Sequence, residues 1–378
     1  MPAIVVGQVL VTSTWFAANA VVRDLQSLWN VADGTGAVTI AVQLGFIAGT
    51  LVYALAGVAD RFAPRWVFLV SALLAAGCNA AVLATPAWFA AVVSWRFLTG
   101  FWLAGVYPVG MKIAASWFAE GLARALGYLV GALVLGTALP HLIRALDLGS
   151  DWRYVIVGST IAAVCGGLLV WRVPEGPHLK RGGNIRLSDV FLAFGEPRFR
   201  NAVFGYFGHM WELYAFWAFV PAFVATYGFA PHQVSAISFA VIATGAVGCV
   251  LGGLAALRWG SDRVALVNLA ISGLCCVVSP LVVSWPPMVV VTMLLVWGFA
   301  VVADSPQLST LNALTAPRNV VGSALTLSTC IGFGITIASI LLLERLLPIV
   351  GVQYLFLPLA IGPALGVWRL WRLASAGP

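Results

Sequence analysis

The chain has 378 residues, 61% of them apolar and only 9% charged, with a mean hydropathy of +0.99. A soluble domain carries about 25% charged residues, so this chain cannot cover itself with polar surface, and a water-soluble globular protein is excluded. The net charge of +7 invites a nucleic-acid reading, but the basic residues cluster at turns on one side of a membrane topology rather than along a surface, and that reading is excluded too.

At ~20 apolar residues per crossing, the length predicts about twelve membrane-spanning helices, an all-α membrane protein. Span 1 is expected over 4–22, ending at Arg23-Asp24. No basic stretch precedes it, so it reads as a retained span and not as a cleaved leader. A polar loop with Asp33, Gly34 and Gly36 leads to span 2, 37–56. Gly57-Val58-Ala59-Asp60-Arg61-Phe62-Ala63-Pro64-Arg65 then forms a charged island. Ionisable groups cost roughly 2.5–3.5 kcal/mol at a bilayer centre on insertion scales, so the island is a turn at the membrane surface. Span 3 covers 66–84 and span 4 covers 87–115, with Arg96, Pro108 and Lys112 inside it. Lys112 lies near the end of its span and is expected to snorkel. After an inner loop with Glu120 and Arg124 come span 5 (125–145), an outer loop at 147–151, and span 6, ending near Trp171.

Residues 172–200 hold six basic residues, Pro174 and Pro177 among their prolines, and two adjacent glycines, with no run of membrane length. They read as a cytoplasmic linker lying partly on the anionic inner leaflet. Spans 7 to 12 follow at 201–226, 233–256, 264–284, 288–314, 320–345 and 352–371. A shift of 198 residues aligns Gly100 with Gly298, Pro108 with Pro306, Gly136 with Gly334 and Arg65 with Arg263, an internal repeat. The expected domains are a six-helix bundle over 1–172, the linker 173–200, and a second six-helix bundle over 201–378. In this topology 15 of the 20 Lys and Arg lie on one side, four on the other, and Arg96 within a span. By the positive-inside rule the rich side is cytoplasmic, with both termini there. The six cysteines sit in apolar runs without metal spacing and read as small buried hydrophobes.

The charged island resembles the signature loop of the major facilitator superfamily of secondary transporters. Gly57, Asp60, Arg61 and Arg65 stand at matching places, while Ala63 replaces a glycine and Pro64 a basic residue. The resemblance covers essentially the whole chain. It implies two pseudo-symmetric six-helix bundles, each of inverted three-helix units, with the island as a conformational latch for the outward-facing state. It also implies that the first spans of each bundle line a substrate cavity. An Arg followed by Gly in span 4 is linked to proton coupling in many members, and Arg96 with Gly100 matches that. Gly127, Gly136 and Pro140 echo the span 5 motif of proton antiporters, but Leu139 replaces a glycine there. Helix packing accounts for these glycines equally well.

A polar residue deep in a span is a functional candidate by default. His209 and Glu212, three apart in span 7, share a helix face. Low dielectric disfavours a charged carboxylate, which suits a proton carrier; the plain alternative is a Glu hydrogen-bonded to a neighbouring helix. A metal held by His209, Met210 and Glu212 is disfavoured because Met210 is off that face. Asp304 precedes Pro306, which cannot donate to the carbonyl of Val302, so span 10 is expected to kink there. Asp304 then joins His209 and Glu212 as a proton-coupling candidate, or pairs structurally. Arg96 keeps its charge and would hold an anion, bias a carboxyl, or form a structural pair. Trp15, Asn19, Gln43, Tyr107, Tyr214, Trp217 and Gln307 are candidate substrate-binding residues, with packing as the alternative. Trp15 and Asn19, four apart, are expected to share a face, as are Tyr214 and Trp217.

No phosphate loop, zinc-protease motif or nucleophile elbow occurs, so no enzyme and no cofactor is expected. The reading is a multi-pass transporter of a bacterial-type inner membrane. It moves a small organic anion or amphipathic solute by alternating access with proton coupling. Its partners are that solute, protons and membrane lipid, with no nucleic acid, and nothing calls for more than a monomer. Rivals are a proton-independent anion exchanger, a multidrug-type proton antiporter, and a non-transporting sensor.

Overall fold

The computed structural model describes residues 1–29, 34–117, 122–146, 151–179 and 189–375. The expectations for Asp33, Glu120, the loop at 147–150 and the linker at 180–188 lie outside the described residues, as does the side chain of Arg124. Among the described residues every regular element is helical. In chain order the helices are α1 (Pro2–Thr12), α2 (Val22–Trp29), α3 (Thr35–Leu55), α4 (Val58–Arg61), α5 (Pro64–Ala81), α6 (Phe89–Leu103) and α7 (Tyr107–Ala115). There follow α8 (Leu122–Ala145), α9 (Arg153–Trp171), α10 (Asp189–Gly195), α11 (Pro197–Ala225), α12 (Pro231–Trp259), α13 (Ser261–Val278), α14 (Pro287–Ala303), α15 (Ser305–Thr315), α16 (Val321–Val350) and α17 (Ile361–Ser375).

Among the described residues, ten helical stretches are long and apolar enough to cross a membrane, α6–α7 and α14–α15 each counting as one. The two other expected spans depart from that pattern. In α11, His209, Glu212 and several Tyr and Trp lower the mean hydropathy. Span 1, expected as one helix over 4–22, is broken: α1 stops at Thr12, and regular helix returns only at Val22 after a 3₁₀ turn, Asn19–Val21. Three consecutive hydroxyl residues explain the stop. Thr12, Ser13 and Thr14 donate to the carbonyls of Gln8 (2.7 Å), Leu10 (2.7 Å) and Val11 (2.9 Å), local bonds that compete with the helix ladder.

By their contacts the helices group into two compact units. The first comprises Met1–Ala125, Ala132–Gly182 and Ala218–Ala240; the second comprises Leu126–Gly131, Gly183–Trp217 and Val241–Pro378. In the first, α3 packs on α6, and α9 on both α1 and α5. The α3–α6 approach is backbone on backbone: a Cβ at Gly45 would lie 1.8 Å from the carbonyl of Phe97, and one at Gly100 2.0 Å from that of Val42. In the second, α13 packs on α14, α15 and α17, and α12 meets α14 at Gly298, where a Cβ would lie 1.9 Å from the carbonyl of Val241. Gly100 and Gly298, paired by the 198-residue repeat, therefore perform the same close approach in the two units.

The repeat extends to the interrupted helices. Span 4 breaks at 104–106, ahead of Pro108, and span 10 breaks at Asp304, ahead of Pro306. Each proline lacks the N–H that would serve the carbonyl four residues earlier. At Pro306 that carbonyl belongs to Val302, and it accepts instead from the Asp304 N–H and from Cys249 Sγ at 3.3 Å.

Candidate functional site

Glu212 lies on α11 with no exposed surface. Its carboxyl is held by three donors from two other helices. Trp297 Nε1 donates to Oε1 at 2.6 Å, Cys276 Sγ to Oε1 at 3.3 Å, and Ser272 Oγ to Oε2 at 2.8 Å. Trp297 is fixed in turn by stacking on Phe216 (centroids 4.4 Å) and by an edge contact with Phe356 (5.3 Å). Both carboxyl oxygens are thus hydrogen-bonded, Oε1 twice and Oε2 once, which offsets much of the cost of burying the group. Met210 points elsewhere, towards Gly332, so the metal grouping with His209 and Glu212 does not form.

One turn earlier on α11, His209 faces Asp304 at the helix break. Nδ1 is 2.9 Å from Oδ1, and the two side chains are 1% and 0% exposed. The distance is that of an ion pair, but the alignment falls outside hydrogen-bond geometry, and no hydrogen-bond partner is present for either His209 nitrogen or either Asp304 oxygen among the described residues. Asp304 occupies the N-cap position of α15 without capping it through its side chain. The shared face of His209 and Glu212 is thus directed at span 10, with Trp297 and Asp304 as the two receiving residues. Gln307, one turn beyond, is 3% exposed and its Nε2 has no hydrogen-bond partner among the described residues.

In the first unit Arg96 is fully buried on α6. NH2 donates to the carbonyl of Trp15, in the break of span 1, and NH1 to Asn79 Oδ1 at 3.3 Å. Asn79 is oriented by its amide nitrogen, which donates to the Ile156 carbonyl (3.1 Å) and Thr160 Oγ1 (3.0 Å) on α9. Among the described residues no acid lies within ion-pair distance of Arg96, and its Nε has no partner. The guanidinium therefore clamps an unwound backbone turn. Trp15 and Asn19 do not share a helix face, since no helix joins them. Trp15 packs on Phe46 at 4.9 Å, and Asn19 Nδ2 donates to Thr39 Oγ1 at 2.6 Å. Gln43 is fully buried, and neither amide atom has a hydrogen-bond partner among the described residues. Tyr107 begins α7 and is half-buried. In the second unit Tyr214 and Trp217 do share a face, in edge contact at 5.3 Å, with Phe333 beside Tyr214 at 5.4 Å.

The charged island forms a short turn. Gly57 has φ +59°, a left-handed conformation that glycine adopts without strain, and it opens α4, which carries Asp60. Lys112 Nζ reaches back from α7 to the Asp60 carboxylate and to the Ala59 carbonyl at 2.7 Å. Arg61 is exposed, and Arg65 is partly buried at the start of α5. The snorkelling lysine and the acid of the island are thus one ion pair. The start of the linker is also anchored: Gly176 N–H donates to Ser116 Oγ (3.0 Å) and His178 N–H to the Ser116 carbonyl (2.9 Å).

Sequence reasoning named Glu212, Asp304 and Arg96 but missed Ser272, Cys276, Trp297, Asn79 and Cys249. Each is a Ser, Cys, Trp or Asn in an apolar run; even the adjacent Cys275 and Cys276 carry no spacing that marks a site.

Buried ionisable groups in fixed polar cages, at helices broken midway through an apolar chain, define a multi-pass membrane protein with chemistry inside its spans. The sequence model of the Major Facilitator Superfamily matches residues 4–339, and the chain belongs to that family. Among curated proteins it resembles solute carrier family 22 member 7 of Homo sapiens and of Pongo abelii, each 30% identical over 177 residues, 44% of this chain and 31% of the relative. The chain thus spans about a third of the length of these relatives. Among solved structures it resembles the proton:xylose symporter XylE bound to 6-bromo-6-deoxy-D-glucose (TM-score 0.76, 14% identity, 98% of this chain and 94% of that one). It also resembles a human organic anion transporter, TETRAN (TM-score 0.73, 15% identity, 97% and 98%). At these identities the structures establish the fold.

Proposed function

We propose that the protein is a secondary transporter that moves a small solute by alternating access in a bacterial-type inner membrane, with proton coupling through α11 and span 10. It is built as two six-helix bundles, 1–172 and 201–378, joined by a cytoplasmic linker. Both termini are cytoplasmic, and it acts as a monomer. The observation that carries this reading is the His209–Asp304 pair. It is buried, of opposite potential charge, placed on a helix break and left with unused hydrogen-bonding capacity. Gain or loss of one proton changes the net charge of this buried pair, and the break beside it gives the helix a place to bend in response.

Glu212 supports the same reading differently. Ser272 has one hydroxyl hydrogen, and both Glu212 Oε2 (2.8 Å) and the Leu269 carbonyl (3.1 Å) lie within reach of it. With Glu212 ionised, Ser272 donates to Oε2. With Glu212 protonated on Oε2, the carboxyl donates to Ser272, which turns its hydrogen to Leu269. Ser272 and Oε2 then stay hydrogen-bonded in both protonation states. The solute is a small organic anion or amphipathic compound, contacted by the aromatic and amide residues of spans 1, 2, 4, 7 and 10.

The test is transport in proteoliposomes under an imposed pH gradient. Asp304→Asn and Glu212→Gln are expected to lose gradient-driven accumulation while retaining solute exchange. Normal accumulation in either variant removes that residue from the coupling role. A second reading, proton-independent anion exchange, is favoured by Arg96, a buried cation with no acid beside it among the described residues. Exchange insensitive to the pH gradient, and lost in Arg96→Gln, would establish it in place of the first.

A further inference from the structure

At the end of the second unit that carries Arg258 and Arg263, α12, α13 and α14 enclose a groove of about 320 Å³. That lies at the lower end of small-molecule sites, roughly 300–1,000 Å³. Its walls are almost wholly apolar: Leu251 and Ala255 of α12, Val264 and Val267 of α13, and Phe299 of α14. Asn268, the one amide in the wall, donates to the Val264 carbonyl at 2.8 Å. The groove opens outward, since Leu251, Val267 and Trp259 on its lips are 49%, 53% and 58% exposed. By helical spacing the same face continues in exposed Val247 and Leu254 of α12 and Leu274 of α13, the surface that meets hydrocarbon in a membrane-embedded chain.

The mouth differs from the walls. Trp259 and Arg263 stand on either side of the turn at Gly260, whose φ of +85° suits glycine alone. Exposed Arg258 precedes them. The one acid of the turn, Asp262, curls back over Gly260: its Oδ1 lies 2.7 Å from where a Cβ at that glycine would be. Asp262 is not among the residues that line the groove, whereas Arg263 is. A tryptophan and arginines above an apolar slot match an amphiphile with an anionic head and a hydrocarbon tail.

We propose that this groove binds one acyl chain of an anionic phospholipid of the adjoining leaflet, with the phosphate on Arg263 and Arg258. The proposal rests on the chain's being embedded in a bilayer and is independent of whether it transports. In the topology proposed above the leaflet is the cytoplasmic one.

Vesicles of phosphatidylcholine containing either brominated phosphatidylglycerol or brominated phosphatidylcholine provide the probe. The reconstituted protein's tryptophan quenching is compared with that of Trp259→Phe, so that the difference reports contact at the groove. Phosphatidylglycerol is expected to quench this component more strongly than phosphatidylcholine. Arg263→Gln should reduce the preference about five-fold, the equivalent of ~1 kcal/mol for one basic residue at an anionic surface. Ala255→Phe, made with and without Trp259→Phe, fills the slot and should reduce quenching of Trp259 by both lipids. Arg318→Gln, at another exposed turn, should leave the preference unchanged. Equal quenching by the two lipids, an equal effect of Arg318→Gln, or quenching unaltered by Ala255→Phe would each overturn the proposal. A thermal midpoint measured for every variant confirms that the comparison is made on folded protein, and Arg263→Gln, being exposed, carries the test if Ala255→Phe does not fold.

Discussion

Trp297 is the residue on which the environment of Glu212 turns. Its indole N–H is the shortest of the three bonds to the carboxyl, and its ring is wedged against Phe216 and Phe356. Trp297→Phe keeps much of the ring packing and removes the donor. It is expected to lower stability by about 1–3 kcal/mol, the upper half of that range applying if the carboxyl is ionised, read as the thermal midpoint in detergent. Ser272→Ala should cost less at a pH where Glu212 is protonated than where it is ionised, because the bond it removes from Oε2 is charge-assisted only in the second case. Arg96 makes a separate case. One guanidinium reaches both the Trp15 carbonyl and Asn79, and a lysine, a point donor on a flexible stem, cannot reproduce that fork. Arg96→Lys is thus expected to lose about 1–3 kcal/mol of stability although the charge is kept, again read by thermal unfolding.

The helices themselves are held together by glycines, and the repeat ranks them. Gly100→Ala and Gly298→Ala place a methyl 2.0 and 1.9 Å from a neighbouring carbonyl oxygen, so backbone must move, and the yield of folded protein should fall sharply for both. Gly334→Ala meets nothing within 4 Å and should raise stability by about 0.5–1 kcal/mol through the lost entropy of glycine. Detergent-stable yield, compared across the three, checks this directly. The comparison also shows how far the elements were legible beforehand. Apolar runs, charged turns and the Pro306 kink follow from hydropathy and from a missing N–H, and among the described residues the island at 57–65 and the break ahead of Pro306 appear where expected. The break in span 1 was not anticipated, because Thr12, Ser13 and Thr14 are tolerable in an apolar run and only their actual bonds to Gln8, Leu10 and Val11 end the helix. Gly136 and Gly334 match in sequence but not in surroundings: the first faces Thr12 and Val9, the second open space. The candidate acids and Arg96 stood out by being charged in hydrocarbon. Their partners did not, since Ser272 and Cys276 reach Glu212, and Asn79 reaches Arg96, only through the packing of helices distant in sequence.

For the whole molecule, charge is scarce enough that each placement has a consequence. The asymmetry of Lys and Arg sets the proposed orientation, and on the basic side the island at Gly57–Arg65 presents Asp60 to Lys112. Their side chains keep 30% and 22% of their exposure, and ion pairs this accessible contribute only about 0–1 kcal/mol to stability. The pair is therefore poorly suited to holding the fold and well suited to biasing one conformer over another, where ~1.4 kcal/mol already changes a ratio ten-fold. Asp60→Asn is expected to leave the thermal midpoint nearly unchanged while altering the rate of solute exchange several-fold. Lys112→Ala should do the same, and more strongly, because it also releases the Ala59 carbonyl. The charge-reversed double variant, Asp60→Lys with Lys112→Asp, restores the ion pair but not the bond to that carbonyl, so recovery of exchange should be partial. Full recovery would assign the whole effect to charge. No recovery, with folding intact, would show that the carbonyl contact and not the ion pair sets the conformational balance.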